Sequence, residues 1–236
     1  MNSDGIELLD SVRHKNLKVD TSLVNIPVNQ VNAAYIIVNE IANLSHEYPI
    51  FFRKDANTGQ FGLVVLLGLH SGENLFIRDN KWHANYLPLD VLRRPFQAML
   101  KEDDNFSGGR IAIDMQSEQV KAGKGEALFD DSGNETAYLE RVKQTFSQIM
   151  GGAEYTKDCM QKMAKLNLIE SVSLKFDSVR GKELVVNGLY SINKDNLAAL
   201  HGDELQLAHN EGLLQIAHLI MSSGSHIQKL INWSNE

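Results

Sequence analysis

The stretch Ile50-Phe51-Phe52-Arg53-Lys54-Asp55-Ala56-Asn57-Thr58-Gly59-Gln60-Phe61-Gly62-Leu63-Val64-Val65-Leu66-Leu67-Gly68-Leu69 decides the fold. Its first three residues are β-branched or aromatic, which suits a pleated, packed backbone. Asp55-Ala56-Asn57-Thr58-Gly59 has the composition of a turn. Phe61 to Leu69 then returns as a run so apolar that both its faces must be covered, which places it centrally in a sheet. Two strands joined by a short turn make an antiparallel pair.

Working outward, the residues on either side extend this pattern. Upstream, Ala34 to Val38 is a short apolar strand. Asn39 is placed to cap the turn after it, with Glu40 in the first turn, where the helix dipole favours negative charge. Tyr48-Pro49 is biased towards extended backbone. Downstream, a turn at His70 to Asn74 precedes Leu75-Phe76-Ile77, and a tight Arg78-Asp79-Asn80-Lys81 turn leads to Trp82. The expectation is a meander. Pro88 suits the first turn of a short helix, Leu89 to Arg94, which Pro95 stops. Two more strands are expected, Phe96 to Leu100 and Arg110 to Met115, joined by an acidic, Gly-containing loop. The Ile111-Ala112-Ile113-Asp114 piece alternates poorly and belongs inside a sheet.

From Gly133 the period changes. Leu139, Val142, Phe146 and Ile149 recur at helical spacing, and so do Tyr155, Cys159, Met163 and Leu166. Gly151-Gly152 lies between the two stripes and predicts a bend or break, since each glycine costs a helix about 1 kcal/mol relative to alanine. Strand patterns return at Ser171 to Phe176 and Leu184 to Ile192. Helices follow from Asn193 onward, with an interruption near Ser222-Ser223-Gly224. Strands first and helices later predict an α+β protein: an antiparallel sheet mainly from the N-terminal half, packed by helices mainly from the C-terminal half. One domain over residues 1–236 is expected, with 1–16 as a loose N-terminal arm.

Composition narrows the function. The chain has 236 residues and a formal charge of −7, with no basic cluster of the kind that neutralises nucleic-acid phosphates. Nucleic acid is not expected as a partner. Met1 to Asn16 has no apolar stretch long enough for a signal peptide, and no run approaches a membrane span. Cys159 is the sole cysteine, so neither an internal disulfide nor a cysteine-based zinc site is expected. A cytoplasmic location fits these features.

Candidate chemistry is sparse. Gly123-Lys124-Gly125 lacks the spacing and the helix of a phosphate-binding loop and reads as a surface turn. Asp130-Asp131-Ser132-Gly133-Asn134-Glu135 has calcium-loop composition with the wrong spacing, and reads as a polar turn leading into the next helix. His201, His209, His218 and His226 are eight or nine residues apart, not the four that places two ligands on one helix face. No metal and no cofactor is expected. His218, between Ala217 and Leu219, is expected as a buried, hydrogen-bonded core residue, with a role as a base or ligand as the alternative.

The most unusual stretch is Tyr86-Leu87-Pro88-Leu89-Asp90-Val91-Leu92-Arg93-Arg94-Pro95-Phe96. Two adjacent arginines on a short helix can clamp a carboxylate or phosphate, because guanidinium forks match those anions. The structural alternative pairs one arginine with Asp114 on a nearby strand and turns the other to water.

The same segment resembles the SapC family, through Tyr86-Leu87-Pro88 and Leu92-Arg93-Arg94-Pro95-Phe96. Tyr48-Pro49-Ile50, Leu67-Gly68-Leu69 with Gly72-Glu73-Asn74-Leu75-Phe76, Ile113-Asp114, Gly125-Glu126-Ala127-Leu128-Phe129, Gly188-Leu189-Tyr190 and Ala217-His218 extend the resemblance from about Leu17 to Leu230. One departure is the direct step from the arginine pair to Pro95-Phe96, where the family often has one residue more. The resemblance implies a bacterial accessory role, since such proteins are encoded at surface-array export loci or near outer-membrane TonB-dependent receptors, flavin-dependent halogenases and cupin-like oxygenases. It implies no catalytic residue. The expected function is therefore non-catalytic binding of a protein partner, in a cell-surface or receptor-linked system, from the cytoplasm. The alternative is an enzyme or small-ligand-binding domain with a site around Arg93, Arg94, Asp114 and His218.

Overall fold

The computed structural model describes residues 5–99, 110–177 and 183–236. In chain order its strands are β1 (Ile6–Leu8), β2 (Lys18–Val19), β3 (Ala33–Ile36), β4 (Ile50–Lys54), β5 (Phe61–Leu66), β6 (Ile77–Arg78), β7 (Lys81–Trp82), β8 (Phe96–Met99), β9 (Arg110–Asp114), β10 (Glu126–Ala127), β11 (Ile169–Asp177) and β12 (Glu183–Ile192). The helices are α1 (Ile41–Leu44), α2 (Leu89–Leu92), α3 (Glu118–Lys121), α4 (Ala137–Lys165), α5 (Lys194–Ala199), α6 (Gly202–Asn210), α7 (Leu213–Ser223) and α8 (Ile227–Ser234). The class is α+β, with the strands mainly in the N-terminal half and the helices mainly in the C-terminal half.

The main sheet is antiparallel, in the order β11-β12-β4-β5-β3. The β4-β5 hairpin forms as expected, in the register Phe51 opposite Val64 and Phe52 opposite Leu63. Val64, Val65 and Leu66 are fully buried, because β5 has a strand on each side and side chains over both faces. The expected meander does not continue, however. The neighbour of β4 is β12, from the C-terminal half, through Leu189 opposite Arg53 and Tyr190 opposite Phe52. Strands β8 and β9 leave that sheet and join β1 in a separate three-stranded one, with β9 in the middle. Ile113 and Ala112 are fully buried there. Residues 6–8 are thus paired to β9 rather than loose, Ile6 lying opposite Asp114. The loop expected between β8 and β9 lies outside the described residues. The β6-β7 turn holds Asp79 and Asn80 both at positive φ, which a two-residue hairpin of the twist-matched type requires.

Helix α4 runs unbroken through Gly151-Gly152, against the expectation of a bend. The reason is packing. A Cβ on Gly152 would sit 2.5 Å from Ile37 Cδ1 and 3.0 Å from Asn39 Oδ1, so the glycine lets the helix lie directly on the chain after β3. One turn on, Thr156 Oγ1 accepts the Val38 amide at 2.9 Å and donates to Gly152 O at 2.7 Å. The polar turn before α4 is closed by Asp130, whose Oδ1 accepts the Ser132 and Asn134 amides, and Thr136 caps the helix. The Gly123-Lys124-Gly125 turn packs against β2, where a Cβ on Gly125 would be 2.3 Å from Val19 O.

Two groups of buried side chains result. The larger surrounds the main sheet, with Met160 and Met163 of α4 and Ile216, Ala217 and Ile220 of α7. The smaller joins Phe96, Ile113, Val120 and Leu128 to the first half of α4, through Leu139, Val142 and Phe146. Helix α7 ends where the interruption was expected. Ser223, fully buried, accepts the Ile50 amide at 3.0 Å and donates to Ile220 O.

Candidate functional site

The segment from Trp82 to Phe96 is held by Tyr48, which belongs to a motif of the family resemblance, and by Glu40 and Glu47, which do not. Tyr48, fully buried, donates its hydroxyl to Tyr86 O at 2.7 Å and accepts from Trp82 Nε1 at 2.8 Å. Its ring stacks on Phe76 with centroids 4.4 Å apart. Burial pushes the Tyr48 phenol up, so it stays a neutral donor. The Glu47 carboxylate accepts the Asn85 and Tyr86 amides. Lys229 reaches Glu47 O, with its ammonium 4.8 Å from the Phe76 ring centre, and burial lowers its pKa.

Glu40 fixes the start of α2. One carboxylate oxygen accepts the Leu89 amide at 2.7 Å, and the other accepts the Ile37 amide at 2.9 Å. Burial raises its pKa, opposed by these two hydrogen bonds. Both amides lack a helical partner at the start of their turns, so the carboxylate answers two donors that would otherwise go unmet.

Arg93 and Arg94 share one carboxylate, and it is Asp90 rather than Asp114. Arg93 reaches Asp90 Oδ1 at 2.6 Å, and Arg94 reaches Oδ2 at 2.9 Å. The local partner wins because Asp90 lies three and four residues before the arginines, on the same helical turn. The two arginines differ beyond that. Arg94 also donates to Asp90 O, Val28 O and Asn29 Oδ1, and its side chain is 10% exposed. Asn29 is itself buried and accepts Asn74 Nδ2 on its carbonyl at 2.8 Å. Arg94 is therefore a strut tying α2 to the Pro27–Asn29 turn. Arg93 donates to Asp90 and to Phe96 O, and its side chain is 29% exposed.

Hollows lie around this segment. One, of about 730 Å³, runs between Tyr86, Leu89 and Leu92 on one side and Gly151 and Gly152 of α4 on the other, with Glu40 in its wall. A second, of about 790 Å³, is lined by Arg93, Arg94, Asp114 and Ser117, with Phe146 and Met150 of α4. A third, of about 350 Å³, touches Leu87, Val91, Leu92 and Arg94. Tyr86 and Leu92 are each about half exposed.

Three of the four residues singled out from sequence, Arg93, Arg94 and Asp114, thus line one cavity. The fourth does not, and the expectation of burial fails. His218 is exposed, with Nδ1 2.7 Å from Leu214 O. The buried stripe of α7 is Leu213, Ile216, Ala217 and Ile220, and at 100° per residue His218 falls on its far side. Cys159 is fully buried, and burial raises its thiol pKa, which keeps it a thiol. Among the described residues no group of three or more His, Cys, Asp or Glu is placed to hold a metal ion, and no helix is long and apolar enough to cross a membrane. Sequence reasoning missed Asp90, Asn29 and Ser117. Only Asp90 carried a signal, in its spacing from the arginines.

No curated protein and no solved structure matches the chain significantly. The SapC family model matches residues 9–230, nearly the whole length, and takes in the buried tyrosine, the two-amide carboxylate of Glu47 and the arginine strut. The chain belongs to the SapC family.

Proposed function

We propose that this chain is a non-catalytic binding protein, serving a bacterial cell-surface or receptor-linked system from the cytoplasm, with the α2 segment as its recognition element for a protein partner. The observation that carries this reading is that one short segment, Asn85 to Ala98, lines all three hollows while its own backbone is pinned by Tyr48, Glu47, Glu40 and Arg94. A fixed segment loses little conformational freedom on binding, which favours recognition. Tyr86 and Leu92 give it exposed apolar surface beside a groove, a feature of partner-binding sites. The cellular setting rests on family resemblance.

Affinity capture from a SapC-encoding bacterium, with the wild type and a Tyr86→Ser/Leu92→Ser variant, tests the reading. The expected result is a partner retained by the wild type and lost by a variant with an unchanged melting temperature. Equal retention by both chains would remove α2 from the recognition surface. The alternative of a small-ligand-binding domain is favoured by one observation, the cavity that brings Arg93 and Asp114 into one wall lining.

A further inference from the structure

We propose that the 790 Å³ cavity between α2, β9, α3 and α4 binds a small zwitterion with apolar substituents, of the class of a short apolar peptide. The inference starts from an ion pair that does not form. Arg93 and Arg94 carry two positive charges against the single carboxylate of Asp90, so one is left over on that wall. Asp114 lines the same cavity, and its described hydrogen bond is from the Gln116 amide to Oδ1. No described ion pair joins Asp114 to either arginine. A surplus cation and a carboxylate with no ion pair among the described residues therefore line one hollow without meeting.

Two further features narrow the ligand. Arg93 commits three of its five N–H donors to Asp90 and Phe96 O among the described contacts, which leaves two for a guest carboxylate. Much of the remaining wall is apolar, with Val28, Val31, Phe146, Ile149 and Met150 beside the polar Gln97 and Gln116. Val28 and Met150 are also among the exposed large apolar residues, so an apolar substituent there would cover surface now in water. Lys121 and Glu118, both exposed, line the cavity too and balance each other in charge. A ligand carboxylate on Arg93, an ammonium on Asp114, and apolar side chains against α4 would use both charged walls and the apolar one. The volume is within the range of sites for drug-sized molecules.

Calorimetric titration of the full chain with leucyl-leucine, N-acetyl-leucyl-leucine and leucyl-leucine amide tests the assignment, and is independent of protein capture. The expected result is saturable binding of the free dipeptide, weakened roughly tenfold or more by blocking either end, as loss of a charge-assisted hydrogen bond predicts. Asp114→Asn should abolish the preference for a free amine while keeping that for a free carboxylate. Arg93→Gln should do the reverse. Should Arg93→Gln fold poorly, Ala98→Trp, at the exposed rim of the same cavity, should block binding without disturbing the ion pairs. No saturable binding up to about 10 mM, a range that still detects very weak complexes, would overturn the proposal. So would affinities indifferent to the blocking groups. Sensitivity to the carboxyl block alone would mark a plain anion site and overturn the zwitterion assignment.

Discussion

The two sides of α2 are built differently. Towards the main sheet, the segment is tied down by a buried tyrosine, two carboxylates that each take two backbone amides, and an arginine that spends four contacts on fixed acceptors. Towards β9 and α3, the same segment faces a cavity, with an arginine only partly committed and a carboxylate that has no ion pair among the described residues. Neighbouring residues with the same chemistry therefore do different jobs. Arg94 holds the fold, and Arg93 is left able to meet a guest. Identity of side chain says less than the number of donors already spent.

The largest expected effect separates those two arginines. Arg94→Ala strips Asp90, Val28 O and Asn29 Oδ1 of a nearly buried partner and should cost about 3–5 kcal/mol, the usual result of breaking a buried pair. Arg93→Ala removes a more exposed member and leaves Asp90 paired with Arg94, so its cost should stay within about 1 kcal/mol. Urea unfolding of both variants measures the gap. Equal losses would erase the distinction between the two sides.

The next comparison is between adjacent glycines. Gly152→Ala would press a methyl group into Ile37 and Asn39, and overpacking of this kind costs about 1–3 kcal/mol. At Gly151 a Cβ would meet open space, so Gly151→Ala should stabilise α4 by about 1 kcal/mol through helix propensity. Thermal melts of opposite sign are expected; two shifts in the same direction would contradict the packing described for α4.

These cases also show what the sequence could reveal. The β4-β5 pair, the interior placement of β9 and the turn before α4 were legible, because short-range pattern and turn chemistry set them. The pairing of β4 with β12 was not, since about 135 residues separate Arg53 from Leu189 and local pattern says nothing about which distant strand arrives. Gly151-Gly152 looked like a break because propensity is a weak prior that tertiary contact overrides. His218 was misplaced because Leu214 and Leu219 make α7 apolar nearly all round, so the sequence did not say which face turns inward. In the cavity, Arg93, Arg94 and Asp114 were found, but as a bonded pair instead of groups held apart.

A smaller effect should appear with pH. Burial raises the Glu40 pKa above its ordinary value of 4.5, so the folded chain holds this proton more tightly than the unfolded one. The stability linked to that proton is complete below the unfolded value and is lost as pH rises through the folded one. Glu40→Gln cannot titrate. Its stability relative to the wild type should therefore improve as pH rises from the ordinary carboxyl value through the raised one, whatever constant penalty the amide brings. A difference independent of pH would contradict the burial of this carboxylate. The smallest effect belongs to His218→Leu, where an exposed side chain should change stability by no more than about 0.5 kcal/mol. A larger loss in the same urea experiment would put the imidazole back in the core.

Native-state amide exchange at Leu89 tests the central claim, that α2 is rigidly mounted from the sheet side, most directly. That amide donates to the partly buried Glu40 carboxylate at 2.7 Å. It should exchange only with an opening free energy close to that of the Val64 and Val65 amides in β5, because the mount and the sheet would open together. Exchange at Leu89 many times faster than at β5, with the sheet still protected, would mean that α2 opens on its own and that the fixed recognition element does not exist.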